Sequence, residues 1–119
     1  MAGIISAGAY VPFQRLEGAA VRGVWGAGNP KASRPLAGFD EDPITMGTEA
    51  LINAGGWGGV DLDALYFAST SAPYAEKSSA AVVAAAADVP ESAFTADMGG
   101  SLRAGTAALR VALDAVKAG

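Results

Sequence analysis

The side chains of this sequence that could do chemistry are hydroxyls, carboxylates, lysines and tyrosines, because it contains neither cysteine nor histidine. That excludes a thiolate nucleophile, a disulfide framework and a CxxC zinc or redox site. It also excludes a Ser-His-Asp triad and an ordinary zinc centre. What remains needs an activating neighbour before it can catalyse anything. Four groupings have a spacing worth weighing. Gly99-Gly100-Ser101 stands just before a helical pattern, a junction that can present an anion or a nucleophile at a helix N-terminus. It misses the G-x-S-x-G elbow because position 103 is Arg, and it is not a P-loop because no G-K-[ST] follows. The plain alternative is a tight turn with Ser101 as N-cap. In Asp40-Glu41-Asp42 adjacent side chains rarely converge on one ion, and Asp42 reads as a helix cap, so no metal site is expected. Gly23-x-x-Gly26-x-Gly28 does not follow a strand, which argues against a dinucleotide fingerprint. Thr70, Ser71 and Tyr74 follow a strand pattern and would share, with the Gly99–Arg103 turn, the edge where parallel α/β folds gather ligands. Ordinary capping is the equal alternative there.

Those groups depend on the elements that carry them. Residues 3–11 (GIISAGAYV) form a short apolar run before Pro12 and predict a buried strand. Residues 13–41 are broken by Gly23, Gly26, Gly28, Pro30, Pro35 and Gly38, with a short helix over 17–25 as the one regular candidate. Asp42-Pro43 starts a helix, as N-cap and first-turn proline, and Gly55-Gly56 stops it. A turn over 57–63 leads to a strand at Ala64–Ser69. Residues 76–87 predict a helix so apolar that burial on most sides is expected, and Ala93–Met98 predicts a third strand. After Gly99-Gly100, residues 101–117 predict the last helix. Leu102, Leu109, Leu113 and Val116 fall on one side of it and the polar stripe is narrow, so a central, packed helix is expected. Alternation of strands and helices means α/β: a mostly parallel sheet with crossover helices on both faces.

Composition adds a second constraint. The chain is 51% hydrophobic but only 17% charged, against about 25% charged in a typical soluble domain. With 16 glycines and many alanines, its core must come from close backbone approach. So few charges suggest that part of the surface meets another chain or domain. The net charge of −4, with no Lys/Arg cluster, argues against nucleic acid. No apolar stretch approaches the roughly 20 residues that span a bilayer. The N-terminal MAGIISAGAY has no basic segment of the secretory kind, so the cytoplasm is the expected location.

Taken in order, GIISAGAYVP, FDEDPITMGTEA, ALYFASTSAPYAEKSSA and TADMGGSLRAGTAALRVALDAVKAG resemble the N-terminal half of hydroxymethylglutaryl-CoA synthases of the archaeal and bacterial type. These belong to the thiolase superfamily, with ketoacyl-ACP synthase III as a cousin. D-E-D-x-x-T-M, S-x-P-Y-A-x-K and R-A-G-T-A together carry the resemblance, and residues 17–38 are its weakest part. It implies that residues 1–119 form one incomplete thiolase-like half, from a five-layer architecture of two similar α/β halves. It also implies acyl transfer to a cysteine at the start of a central helix, followed by Claisen-type attack of a second acyl-CoA.

The family's cysteine precedes a Lys-Ala-Gly-Thr run; here Arg103-Ala104-Gly105-Thr106 matches it, so Leu102 holds the nucleophile position. The family's glutamate stands four residues before the Tyr of S-x-P-Y, which places Thr70 at the acid/base position. The family's histidine would lie beyond residue 119. Ser101, next to Leu102, is a weak substitute nucleophile without an identifiable base. Thr70 or Ser71 could instead orient a thioester without covalent chemistry. The resemblance therefore implies a protein of acyl-CoA metabolism that does not condense by itself, with acyl-CoA as substrate or ligand and no bound cofactor or metal. The alternative is a non-catalytic subunit that stabilises or gates an active thiolase-like chain; a third reading is a free-standing acyl-CoA-binding module. The partners implied are a second thiolase-like chain or a C-terminal half, and a zinc-ribbon/OB-fold protein.

Overall fold

Asp42 shows how closely local chemistry is followed. Its side chain accepts a hydrogen bond from the Thr45 N–H at 2.8 Å, and the Thr45 hydroxyl oxygen accepts one from the Asp42 N–H at 2.8 Å. This reciprocal box, with Pro43 behind it, starts a helix that ends at Gly55 in the left-handed conformation (φ 59°). The box is worth about 1 kcal/mol. The computed structural model describes residues 1–55 and 62–119. Its elements run β1 (Gln14–Glu17), α1 (Gly18–Trp25), β2 (Ser33–Leu36), α2 (Pro43–Ala54), β3 (Ala64–Ala68), α3 (Ser79–Ala86), β4 (Phe94–Met98) and α4 (Ala104–Ala118). Most of the turn expected over 57–63 lies outside the described residues.

The class is α/β, as expected. β3 and β4 pair in parallel, with Ala64 opposite Phe94 and Ala68 opposite Met98. Alternation along β3 sends successive side chains to opposite faces. Leu65 packs on Ala84, Ala87 and Val89 at the end of α3, and Leu51 of α2 packs on the same cluster. Phe67 lies against Gly47 of α2, where an added Cβ would stand 3.0 Å from the ring. Ala64 and Tyr66 turn instead toward Ala108, Leu109 and Ala112 of α4. Helices thus cover both faces of the parallel pair, two on one side and one on the other.

α3 begins under an unusual cap. Asp97 of β4 accepts hydrogen bonds from the Ser79 and Ala80 N–H groups at 3.0 and 2.8 Å, and the Ser78 hydroxyl oxygen accepts one from Ala81 N–H at 3.1 Å. Three of the N–H groups that a helix start leaves unpaired are therefore satisfied from outside the helix backbone. Ser79 and Ala80 are buried at 1% and 0% exposure, so in the folded chain Asp97 is the partner of their N–H groups, while Asp97 itself reaches the surface.

Several sequence expectations need correction. Residues 3–11 form no strand. They run along the end of α2 instead. Ser6 hydroxyl donates to the Ala54 carbonyl, the Asn53 side-chain amide donates to the Ala9 carbonyl at 3.1 Å, and Gly8 lies flat against the backbone of Ala50 and Ala54. An apolar run becomes a strand only when a neighbouring strand accepts its ladder, and Ile4 and Ile5 remain exposed. The irregular region expected over 13–41 contains an antiparallel hairpin, with Gln14 opposite Leu36 and Glu17 opposite Ser33, around the expected short helix. α3 is buried on one side only, through Ser79, Ala80, Val83 and Ala84. Its other side is alanine, which costs little to leave in water. α4 is not packed all round either. Only Ala104 and Ala108 are buried, while Leu109 and Val116 are 49% and 63% exposed. A sheet two strands wide spans about 5 Å between strand axes and covers just one stripe of a helix. The whole is extended: its radius of gyration is 17.0 Å, against about 13.5 Å for a compact domain of this length.

Candidate functional site

Parallel pairing brings the C-terminal ends of β3 and β4 to one edge, which is where ligands collect in this class. The Ser69 N–H donates to the Met98 carbonyl at 3.1 Å, prolonging the ladder by one step. Gly99 then passes so near the Ser69 carbonyl that a Cβ would stand 3.2 Å from it. Gly100 turns the chain with φ 81°, a conformation that suits glycine. These two residues deliver Ser101, Leu102 and Arg103 to the start of α4.

The result is a shallow cleft of about 290 Å³ lined by Ala68, Ser69, Thr70, Ser101, Leu102, Ala104 and Gly105. Thr70, Ser101 and Leu102 therefore meet at one place, although 30 residues separate the first two. Leu102 is 95% exposed at its mouth. Ser71 and Tyr74 do not line the cleft. The Ser71 N–H donates to the Ser69 hydroxyl at 3.1 Å, and the Lys77 ammonium sits 5.0 Å from the centre of the Tyr74 ring.

Ser101 is not the N-cap it was expected to be. The cap residue is Arg103, in helical conformation and without a side-chain cap bond. The Ser101 hydroxyl oxygen accepts from Arg103 N–H at 3.1 Å, and its carbonyl accepts from Ala104 N–H at 3.1 Å. A tight preliminary turn has consumed the capping group before α4 begins. Among the described residues no carboxylate or amine hydrogen-bonds the Ser101 hydroxyl, so nothing there would take up its proton.

The other groupings prove structural. Gly26 is the left-handed C-cap of α1, its N–H donating to the Arg22 carbonyl at 2.8 Å, and Gly28 has φ 115°. Asp40, Glu41 and Asp42 part company: Asp42 caps α2, while Glu41 accepts the Gly38 N–H at 2.6 Å and the Tyr10 hydroxyl. Among the described residues no three potential metal ligands gather.

Glu41 and Tyr10 carry a pH dependence that sequence reading missed, since Tyr10 lies 31 positions away. The Gly38 N–H first, and the Tyr10 hydroxyl second, hold the Glu41 carboxyl below its ordinary 4.5. Its contribution is therefore present above that value and lost as pH falls through the lowered one. The Glu41 hydrogen bond, then desolvation, then the negative charges of Glu41, Glu49 and Asp40, push the Tyr10 hydroxyl above 10.0. Its contribution is complete below 10.0 and lost as pH rises through the raised value. Tyr10→Phe should thus flatten the alkaline limb of a melting-temperature profile and reduce the acid limb. A variant profile that overlays wild type at both ends would refute the pairing.

No family model matches the chain. Among curated proteins it is 39% identical over 121 residues to hydroxymethylglutaryl-CoA synthase of Pyrococcus horikoshii, covering 98% of this chain and 35% of that one. The same protein of Thermococcus gammatolerans is 38% identical over 115 residues, with 93% and 33% covered. That of Archaeoglobus fulgidus is 34% identical over 129 residues, with 100% and 38% covered. The chain spans about a third of the length of these relatives, consistent with the incomplete N-terminal half expected from its motifs. Among solved structures, β-ketoacyl-[acyl carrier protein] synthase III of Thermus thermophilus superposes with a TM-score of 0.86 at 23% identity, over 98% of this chain and 39% of that one. A 3-oxoacyl-(acyl-carrier-protein) synthase III superposes with a TM-score of 0.82 at 17% identity, over 95% and 37%. No described helix is long and apolar enough to cross a membrane. In sequence, then, this chain resembles the N-terminal half of the hydroxymethylglutaryl-CoA synthases, and in fold it resembles part of the synthase III enzymes.

Proposed function

We propose that this chain is a thiolase-like, hydroxymethylglutaryl-CoA synthase-like protein that works on acyl-CoA thioesters in the cytoplasm and does not condense them by itself. One observation carries the reading: the residues aligned with the family's nucleophile and acid/base positions, Leu102 and Thr70, line one cleft at the strand ends beside Ser101, and none is a thiol, carboxylate or imidazole. Leucine cannot be acylated, and an unactivated hydroxyl is a poor nucleophile. What the cleft offers is hydroxyl groups and a small apolar wall, suited to holding a thioester rather than cleaving it. Incubation with labelled acetyl-CoA followed by intact-mass measurement should show no acyl adduct. An adduct mapped to Ser101 would overturn the inactive reading.

A second reading is favoured by the open side of α4, where Leu109 and Val116 face solvent above a stripe of buried alanines. On this reading the chain is a non-catalytic subunit that stabilises or gates an active thiolase-like chain bearing the histidine. The family resemblance adds a zinc-ribbon/OB-fold protein as a further partner. Co-purification with a second thiolase-like chain supports it, and a lone monomer that binds coenzyme A favours the module instead.

A further inference from the structure

Both walls of the cleft hang from the end of β4. One wall is the Gly99–Arg103 turn, which continues that strand directly. The other begins at Ser69 and Thr70, where β3 ends, and it is tied across to β4. The Ser69 N–H donates to the Met98 carbonyl at 3.1 Å. Ten residues later the chain returns to the same place, where the Ser79 and Ala80 N–H groups donate to the Asp97 carboxylate at 3.0 and 2.8 Å. Thr70–Ser78 is therefore a nine-residue strap whose two ends are held by adjacent residues of one strand.

Little else holds this strap. Residues 70–77 are all exposed, so burial does not fix their conformation. Among the described residues their hydrogen bonds stay local: the Ser71 N–H reaches the Ser69 hydroxyl at 3.1 Å, and none leads to another element. The Lys77 ammonium on the Tyr74 ring, at 5.0 Å, is a contact within the strap. Backbone order that burial does not support has to come from closed ends, because freeing one end restores conformational entropy. Compact surface loops with close ends are of this kind and are often functional. Of the two anchors, Asp97 is the one that a substitution can remove, since the Met98 anchor is a main-chain carbonyl.

We propose that Asp97 is a positioning residue of the cleft. It does not line the cleft, so it acts through Thr70, which does. By holding the far end of the strap on β4, its carboxylate fixes where Thr70 stands opposite Ser101 and Leu102. Asp97 also lies on the strand that delivers those two residues, so one side chain sets the spacing of both walls. The identity of the ligand rests on the acyl-CoA reading, whereas the anchoring rests on the hydrogen bonds alone. A purely stabilising cap would lower binding only in proportion to the loss of folded chain; a positioning residue lowers it in the folded chain.

The test is calorimetric binding of acetyl-CoA to the full chain, wild type against Asp97→Asn, with Asp42→Ala as control. The control removes the cap of α2, outside the cleft, for a comparable loss of stability. Circular dichroism shows that each variant is folded. Asp97→Asn should weaken binding at least about tenfold, as misplacement of a binding group does, and Asp42→Ala less than about twofold. Equal weakening in both variants, or none in Asp97→Asn, overturns the proposal. Trypsin supplies a second readout that needs no ligand. The Lys77–Ser78 bond lies beside the Asp97 anchor, and its cleavage, mapped by mass, should quicken at least about fivefold in Asp97→Asn and stay unchanged in Asp42→Ala. If wild type binds no acetyl-CoA, the acyl-CoA reading fails and cleavage alone decides on the strap: faster cleavage in Asp97→Asn upholds its anchoring, and an unchanged rate overturns it.

Discussion

Replacing Leu102 by cysteine is expected to turn a chain that takes up no acyl group into one that does. Leu102 stands in the turn before α4 and is 95% exposed at the cleft mouth, so a thiol there would be reachable. It would lie at the N-terminus of a 15-residue helix, whose first N–H groups favour negative charge. The first effect gives access and the second raises the thiolate fraction, and a thiolate attacks a thioester without a dedicated base. The adduct from labelled acetyl-CoA should rise from background in wild type by at least about tenfold in Leu102→Cys. Leu102→Ser is the matched control and should remain unlabelled, since a hydroxyl in that place has no base to activate it. If the new thiol reacts with a small thiol reagent but never with acetyl-CoA, the cleft does not receive thioesters, and the proposed function falls with it.

Asp97→Ala should be the most damaging single change to stability among the polar residues described. One carboxylate holds the Ser79 and Ala80 N–H groups, both on buried residues. Its removal takes away two charge-assisted hydrogen bonds, for which water must substitute, and strips negative charge from a helix N-terminus, for a loss of about 2 kcal/mol. In a domain of this size that lowers the melting temperature by roughly 10 °C. Asp97→Asn keeps one acceptor oxygen and should lose about half as much. A melting temperature for Asp97→Ala within about 2 °C of wild type would show that the cap contributes little. The consequence reaches the site, because Met98 follows directly and leads into the Gly99–Arg103 turn that carries Ser101 and Leu102.

How much of this was legible in the residues depended on distance along the chain. The start of α2 could be read because Asp42, Pro43 and Thr45 cap it locally. β3 and β4 appeared within one residue of their expected positions, because short apolar runs between breakers become strands once helices cover both faces. The strand expected over 3–11 failed for the complementary reason. Nothing within those residues says whether a neighbouring strand will accept their backbone, and here α2 took that role. The Asp97 cap and the Tyr10–Glu41 pair were likewise invisible, since each joins groups separated by many residues.

For the candidate site the division is similar. Sequence alone determined which chemistry is absent, because a missing thiol or imidazole cannot be supplied by any fold of this chain. Through the motif run around Arg103 it also supplies the proposal that Leu102 stands where the resemblance implies a nucleophile. Only the tertiary structure decided that Thr70, Ser101 and Leu102 share a cleft, since that meeting depends on the parallel register of β3 and β4 and on the turn at Gly99-Gly100. It alone decided, too, that the apolar stripe of α4 lies open rather than packed. Hydrophobic periodicity reports that a face seeks cover, whereas the width of the sheet beneath decides how much cover it finds.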